Sequence, residues 1–413
     1  MIKRRWPRAW FTAGLVGLIL VIVPLSRGTA ASQTGSALFD PPAVYLTWRH
    51  DPTSTMTILW HTSSESDDVV QYRRSDEPAW HMVMGAHHPL PFSDRIVHLV
   101  ELTDLEPASD YRFRFGDHSV EFAFRTLPRA LREPMRFVVG GDMMQRAEWF
   151  QETCRRAAQY DPWFVIIGGD IAYADGDPSK VERWIEWFAI WKQTMVTSDG
   201  RLIPLLAAIG NHEVSGGFNR RSDQAPFFYS LFPLPASRSY RVLDFGNYMS
   251  LIFLDTQHTQ AIAGAQTDWL AERLAERSTI PHLFVISHVP AYPSVRPYTY
   301  WVSAKIRKYW VPLFEQFGVD VVFEHHDHAY KRTHPILAGA VDPRGIVYLG
   351  DGAWGVRIRQ PRQDWYLAKT ADRRHFILVT LDNEKRRFQA IDSDGTVFDQ
   401  MEQGVASGFM LTP

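Results

Sequence analysis

GGDIAY, residues 168–173, follows the apolar run Phe164-Val165-Ile166-Ile167 and precedes Asp175-Gly176-Asp177-Pro178. A buried strand that ends on an acid poses the question that decides the fold, because a carboxylate is costly to bury unless a positive partner offsets it. Two readings fit the stretch alone: a metal ion held by Asp170, or turn chemistry, since Gly-Asp commonly follows a strand. The other strand ends have to choose between them.

Working outward, the chain from Pro134 onward repeats the rhythm strand, loop, helix. Apolar strands are predicted at Phe137–Val139, Phe164–Ile167, Leu205–Ile209, Met249–Leu254, Leu283–Ile286, Val319–Phe323 and Ile346–Leu349. Helical periodicity falls at Gln145–Tyr160, Pro178–Met195, Gln266–Arg277 and Ser303–Phe317. Asp177 followed by Pro178 suits a helix start, with an N-cap acid and proline in the first turn. Alternation of this kind implies an α/β sandwich with a largely parallel or mixed sheet.

Polar residues gather directly after these strands: Gly141-Asp142, Gly169-Asp170 with Tyr173, Gly210-Asn211-His212-Glu213, Ser287-His288 and His325-His326-Asp327-His328. The carboxyl ends of strands in open α/β sheets are where ligands bind, so five such endings can converge on one crevice. Any one of them reads as a cap or a satisfied core residue. Five endings that each carry a metal-competent side chain favour the metal. The set mixes carboxylate, carboxamide, phenol and imidazole without thiolate, which suits iron, manganese or zinc in a reactive centre better than a structural zinc site. Seven ligands are too many for one catalytic ion with open positions, whereas a bridging carboxylate serves two ions.

The blocks GGDMM (140–144), GGDIAY, GNHE (210–213), VISH (285–288) and HHDHAYKR (325–332) resemble, in that order, the five-block signature of the metallophosphoesterases. More narrowly they resemble the purple acid phosphatase family, in which a tyrosine stands three residues after the second block's aspartate and a β-sandwich comes first. The resemblance covers about residues 40–400. It implies a metallophosphoesterase sandwich of mixed β-sheets flanked by helices, preceded by an all-β sandwich of the fibronectin-III or immunoglobulin type.

Carried over residue by residue, the resemblance implies that Asp142, Tyr173 and His328 hold a ferric ion. It gives Asn211, His288 and His326 a divalent ion (zinc, manganese or iron), with Asp170 bridging the two. The implied reaction is attack of metal-generated hydroxide on the phosphorus of a phosphate ester, with His212 protonating the leaving alcohol or binding phosphate; a hydrogen bond behind the ligands is the other reading of His212. The chain departs from the family pattern at His325, where glycine is usual, so His325 is read as a non-ligand. It departs again after the fourth block, where Arg296, Tyr298 or His334 stand in for the substrate-contacting histidines of plant members. Arg220, in the long loop 216–240, is a further candidate for phosphate, although solvated arginine is the safer reading.

Residues 40–127 read differently. Short alternating strands at Val44–Trp48, Met56–Trp60, Val69–Tyr72, Ile96–Leu102, Tyr111–Phe115 and Val120–Phe124 suggest an antiparallel β-sandwich. His50, His61, His81, His87, His88 and His98 fall there without shared spacing and are read as surface or packing residues. Residues 126–134 form the linker, and the catalytic domain is placed at 134–400.

At the amino terminus, Lys3, Arg4, Arg5 and Arg8 precede the apolar run Phe11–Leu25 and the small residues 28–32, the pattern of a signal peptide over residues 1–31. An uncleaved anchor remains the other reading. Export to the periplasm, cell surface or medium is therefore expected, with no membrane span after the leader is removed. Removal takes five basic side chains and no acids, moving the formal charge from −2 to −7, which speaks against a grip on nucleic-acid backbone. Cys154 is the only cysteine, so no intrachain disulfide forms, and it is read as a packed thiol. The expected function is hydrolysis of small phosphate monoesters. A phosphodiesterase or nucleotide-specific hydrolase on the same metals is the alternative, and a non-enzymatic surface module is a more distant one.

Overall fold

Downstream of Pro134 the alternating pattern builds two mixed β-sheets laid face to face. The computed structural model describes residues 38–64, 66–234 and 238–405; the expected leader lies outside them. In the first sheet the strands run in the order Leu205–Ala207, Val165–Ile167, Met135–Gly140, His375–Leu381, Lys385–Asp392, Val397–Gly404. The first three are parallel and the last three form an antiparallel meander. The second sheet runs Arg241–Phe245, Met249–Leu254, His282–Ser287, Val321–Glu324, Val347–Gly350, Tyr330–Thr333, Leu367–Ala371, with four parallel strands at its centre.

Strand alternation explains the layering. Phe137, Val139 and Ile166 point into the space between the sheets, where they meet Phe253, Phe284 and Phe323. Their neighbours Val138, Val165 and Ile167 point outward and are covered by Phe150 and Cys154 of helix Ala147–Ala158 and by Trp184 and Trp187 of helix Val181–Thr194. Cys154 is thus a packed thiol, and burial pushes its pKa well above the usual range. Helices Ala265–Ala275, Trp301–Tyr309 and Val311–Phe317 cover the second sheet.

Two helices differ from expectation. The predicted helix Ser303–Phe317 is two helices, because Pro312 lacks an N–H and is tolerated only in a first turn. The second of them ends on Gly318 at φ +71°. Pro178–Lys180 is a 3-10 turn, capped by Asp177, whose side chain accepts from the Ser179 N–H at 2.9 Å.

Upstream, two four-stranded antiparallel sheets form the sandwich, with strand orders 43–47, 56–62, 96–102, 86–89 and 81–84, 69–74, 110–114, 122–125. His81–Met84 and Ala86–Pro89 went unpredicted because they are edge strands, mostly exposed and without an apolar alternation. The sandwich packs on the catalytic fold through side chains. Tyr45 stacks on Phe188 at 4.2 Å and its hydroxyl donates to Leu231 O, and Trp48 meets Phe164 edge-on at 6.0 Å.

Candidate metal centre

The second sheet's parallel strands end at Leu254, Ser287, Glu324 and Gly350, and the first sheet's at Gly140, Ile167 and Ala207. All seven ligand candidates lie just past five of these ends. Local backbone geometry aims them. Asp142, Asp170, Tyr173, His326 and His328 all have positive φ, between 53° and 80°. Side chains rarely adopt that region, and non-glycine residues held there gather at functional sites. Gly169 (φ +93°) shows why glycine is required beside them: a Cβ there would sit 2.8 Å from His288 Nδ1 and from the Gly210 nitrogen.

The candidates form two groups that share Asp170. In the first, the Tyr173 hydroxyl lies 3.3 Å from Asp142 Oδ1 and 3.1 Å from His328 Nε2, and His328 Nε2 lies 3.0 Å from Asp142 Oδ1. In the second, His288 Nε2 lies 3.1 Å from Asn211 Oδ1, 3.1 Å from His326 Nδ1 and 3.2 Å from Asp170 Oδ2. Separations of this size match the edge of a coordination shell whose bonds are about 2.1 Å. One oxygen or nitrogen from each of Asp142, Asp170 and His328, and from each of Asp170, His288 and His326, falls within 4.8 Å of the others.

Proton bookkeeping favours cations in both groups. His288 Nδ1 donates to Gly168 O at 2.8 Å, so in the neutral ring Nε2 carries a lone pair, and it faces the oxygens of Asn211 and Asp170. Asp170 Oδ2 and His326 Nε2 are buried without any hydrogen-bond partner. Buried polar atoms are seldom left so. Burial opposes a charge on His288, yet the adjacent Asp170 carboxylate raises its pKa to about 9; a metal ion would displace that proton. Burial and the Asp142 charge push the Tyr173 phenol well above its ordinary range, so only a strongly charged cation would ionise it. The residues present therefore fit two metal ions.

Supporting residues that the sequence pattern did not single out hold this arrangement. Glu213 is fully buried; its carboxylate accepts the backbone N–H groups of Gly210 and Asp170 at 2.8 Å and of Ile171 at 2.7 Å, locking the second block to the third. Burial and the Asp170 charge raise its pKa to about 7. Asp175 pairs with His212 Nδ1, and the His212 N–H donates to Asp170 Oδ1 at 2.8 Å. His212 Nε2 remains 3.9 Å from Asp170 Oδ2, with the ring against Tyr173 at 4.3 Å and its side chain 34% exposed. Behind the last block, buried Lys331 pairs with Glu324 and lies 3.6 Å from Asp351. An acid at the end of the third block and one two residues past the second were the available signals for Glu213 and Asp175, but acids near strand ends are too common to single out.

The other candidates scatter. His325 is buried, donates from Nδ1 to Ser287 O at 3.0 Å, and lies over Gly141 and Gly168, where any Cβ would overlap its ring. Arg296 pairs with Asp327 and donates to His326 O at 2.9 Å, close to the centre. Tyr298 packs instead among Tyr292, Trp365 and Tyr366, with Arg307 at 3.6 Å over its ring, and Tyr300 stands beside His326 at 6.1 Å. Arg220 and His334 are exposed, and Arg220 meets the chain's interior through its N–H, which donates to His258 O at 2.9 Å.

Comparison with known proteins agrees with this geometry. Residues 41–126 match the profile of the purple acid phosphatase N-terminal domain, and residues 124–330, half of the chain, match the calcineurin-like phosphoesterase profile. Purple acid phosphatase 23 of Arabidopsis thaliana is 27% identical over 373 residues, spanning 78% of each chain. Among solved structures, a purple acid phosphatase from yellow lupin superposes with a TM-score of 0.71 at 16% identity, over 88% of this chain and 75% of its own. PhoD superposes at 0.65 and 14%, over 90% and 93%. The two profiles meet at the linker and together span the sandwich and all five ligand-bearing strand ends. The chain is thus a metal-dependent phosphoesterase that belongs to the calcineurin-like phosphoesterase family, in its purple acid phosphatase branch.

Proposed function

We propose that this protein is an exported hydrolase of phosphate monoesters working on a ferric–divalent pair. Asp142, Tyr173 and His328 hold the ferric ion, Asn211, His288 and His326 the divalent ion, and Asp170 bridges them. Two such ions, when bound, supply a nucleophilic hydroxide and neutralise the phosphate. His212 then has one task. Asp175 holds its Nδ1, so in the charged ring the Nε2–H, 3.9 Å from Asp170 Oδ2, is the proton free to go to the leaving alcohol. Burial disfavours its charge, but Asp170 and Asp175 together raise its pKa, so the acid form persists at mildly acidic pH and is lost as pH rises through that raised value. This pairing of His212 with Asp175 beside a converging ligand set carries the proposal. The similarity to purple acid phosphatases, such as number 23 of Arabidopsis thaliana, supports the monoester class.

The test compares hydrolysis of a monoester and a bis-ester of one chromophore, together with the visible spectrum of the purified protein. Faster monoester turnover by a coloured protein, its colour lost in Tyr173→Phe, is the expected result. A strong bis-ester preference moves the protein to the phosphodiesterases. A colourless protein holding stoichiometric ferric iron removes Tyr173 from the ligand set.

A further inference from the structure

The metal centre occupies the carboxyl ends of the strands. At the opposite ends, where the linker crosses from the sandwich into the catalytic fold, lies a cleft of about 770 Å³. Met135 and Arg136 begin the strand Met135–Gly140, Trp163 precedes Val165–Ile167 and Leu202 precedes Leu205–Ala207, so a strand length of roughly 20 Å separates the cleft from the ligands. Five arginines line it: Arg125, Arg129, Arg132, Arg136 and Arg201. Arg125 and Arg201 approach Asp110 at 2.5 and 3.7 Å, and Arg201 also meets Asp199 at 2.9 Å. Arg129, Arg132 and Arg136 are exposed and have no carboxylate partner among the described residues. Two acids share the cleft. Asp161 accepts the N–H and the hydroxyl of Ser198, both at 2.7 Å, which leaves Glu133 as the one acid not so engaged.

The linker is held in place. Arg129 O accepts from Asn247 N at 3.3 Å, Leu131 O from Asn383 Nδ2 at 3.0 Å and Arg136 O from Trp163 N at 2.9 Å. Prolines 128, 134, 162 and 204 stiffen the wall. Unpaired guanidinium groups gathered on one cleft repel one another unless an anion joins them. Each is a planar fork suited to tetrahedral oxyanions, and the volume lies in the range of small-molecule sites.

We propose that this cleft binds a compact polyanion carrying several clustered phosphate or sulfate groups, at a site separate from the metal centre. The inference does not depend on which ester the enzyme hydrolyses. The test titrates full-length protein calorimetrically with inositol hexasulfate, and in parallel with citrate. One equivalent should bind, more weakly as salt rises. The Arg129→Ala, Arg132→Ala, Arg136→Ala triple variant should bind it roughly tenfold or more weakly, at an unchanged rate of ester hydrolysis. Arg344→Ala with Arg387→Ala, exposed arginines outside the cleft, should bind as wild type. Unchanged affinity in the triple variant, an equal loss in the control, citrate bound as tightly as the hexasulfate, or displacement by inorganic phosphate at the concentration that inhibits hydrolysis would each overturn the site.

Discussion

Two clusters in this molecule hold the same side chains, two imidazoles and one carboxylate, and behave differently. In the sandwich, Asp68 receives His87 Nδ1 at 2.7 Å and His98 Nδ1 at 2.6 Å, and the far nitrogen of His98 meets the Thr62 hydroxyl at 2.8 Å. Every contact there can carry a proton. In the catalytic fold, Asp170 Oδ2 and His326 Nε2 are buried with no hydrogen bond. Both groups are compact enough for a metal ion. Their difference lies in protons and in backbone: Asp170 and His326 occupy the left-handed region, whereas Asp68, His87 and His98 do not. Residue types in proximity nominate a metal centre, and the count of protons against acceptors decides it.

The sharpest way to break this comparison is Asp170→Asn. The only carboxylate shared by both catalytic groups would lose its charge, so both ions should be lost or weakly held, and the rate should fall more than about 10³-fold, the several kcal/mol that metal ions contribute. Metal analysis beside an ester assay reads the outcome; two retained equivalents at near-normal rate would dissolve the contrast with Asp68. His212→Ala should do less. With Asp142, Asp170 and the other ligands intact, metal content should stay, while the rate drops by roughly 10²–10⁴-fold. The loss should shrink for esters with good leaving alcohols, and an equal loss on good and poor leaving groups would make His212 a phosphate-binding or structural residue.

How much of this was legible beforehand depended on where the pattern was carried. The parallel strands are buried on both faces and appear as apolar runs, so Phe164–Ile167 and Met249–Leu254 were placed to within a residue or two. The meander 375–404 was missed: Lys385–Asp392 and Val397–Gly404 mix buried and exposed positions, whereas His375–Leu381 is buried almost throughout and its apolar run Phe376–Val379 was there to be read. Ligand candidates stood out because five strand ends carried them together. Glu213, Asp175 and Asp351 act through backbone N–H groups, one imidazole and a buried lysine, contacts that no sequence spacing encodes. The same holds for Tyr298 and Tyr300: the loop 289–300 offered several aromatic residues, and only packing against Tyr366 and Trp365 determines which of them turns away from His326. His98 was read as a packing residue and is buried on Trp60 at 4.8 Å, but its partnership with Asp68 spans the two sheets of the sandwich and left no trace in the sequence.

The smallest expected effect falls on that partnership. Asp68→Asn should leave two metal equivalents and the hydrolysis rate unchanged, and should lower stability by about 1–3 kcal/mol, the consequence of weakening two hydrogen bonds at a half-buried carboxylate. Its pH dependence follows from the proton balance. Burial works against the Asp68 charge, but His87 and His98 lower its pKa below the ordinary value, so its contribution is complete above about pH 4 and is lost as pH falls through the lower folded value. Burial lowers the His98 pKa, and Asp68 partly opposes this. The unfolded chain therefore takes up the His98 proton first as pH drops below about 6.5, which destabilises the fold in mild acid. Without the Asp68 charge the folded His98 resists protonation further, so the variant should lose more stability between pH 7.5 and pH 5 than the wild type does. Thermal unfolding of the full-length protein at both values measures it, as a difference of a few degrees. A variant that loses a metal equivalent would show Asp68 to be a ligand, and one whose deficit is smaller at pH 5 than at pH 7.5 would show that Asp68 does not sustain the His98 charge.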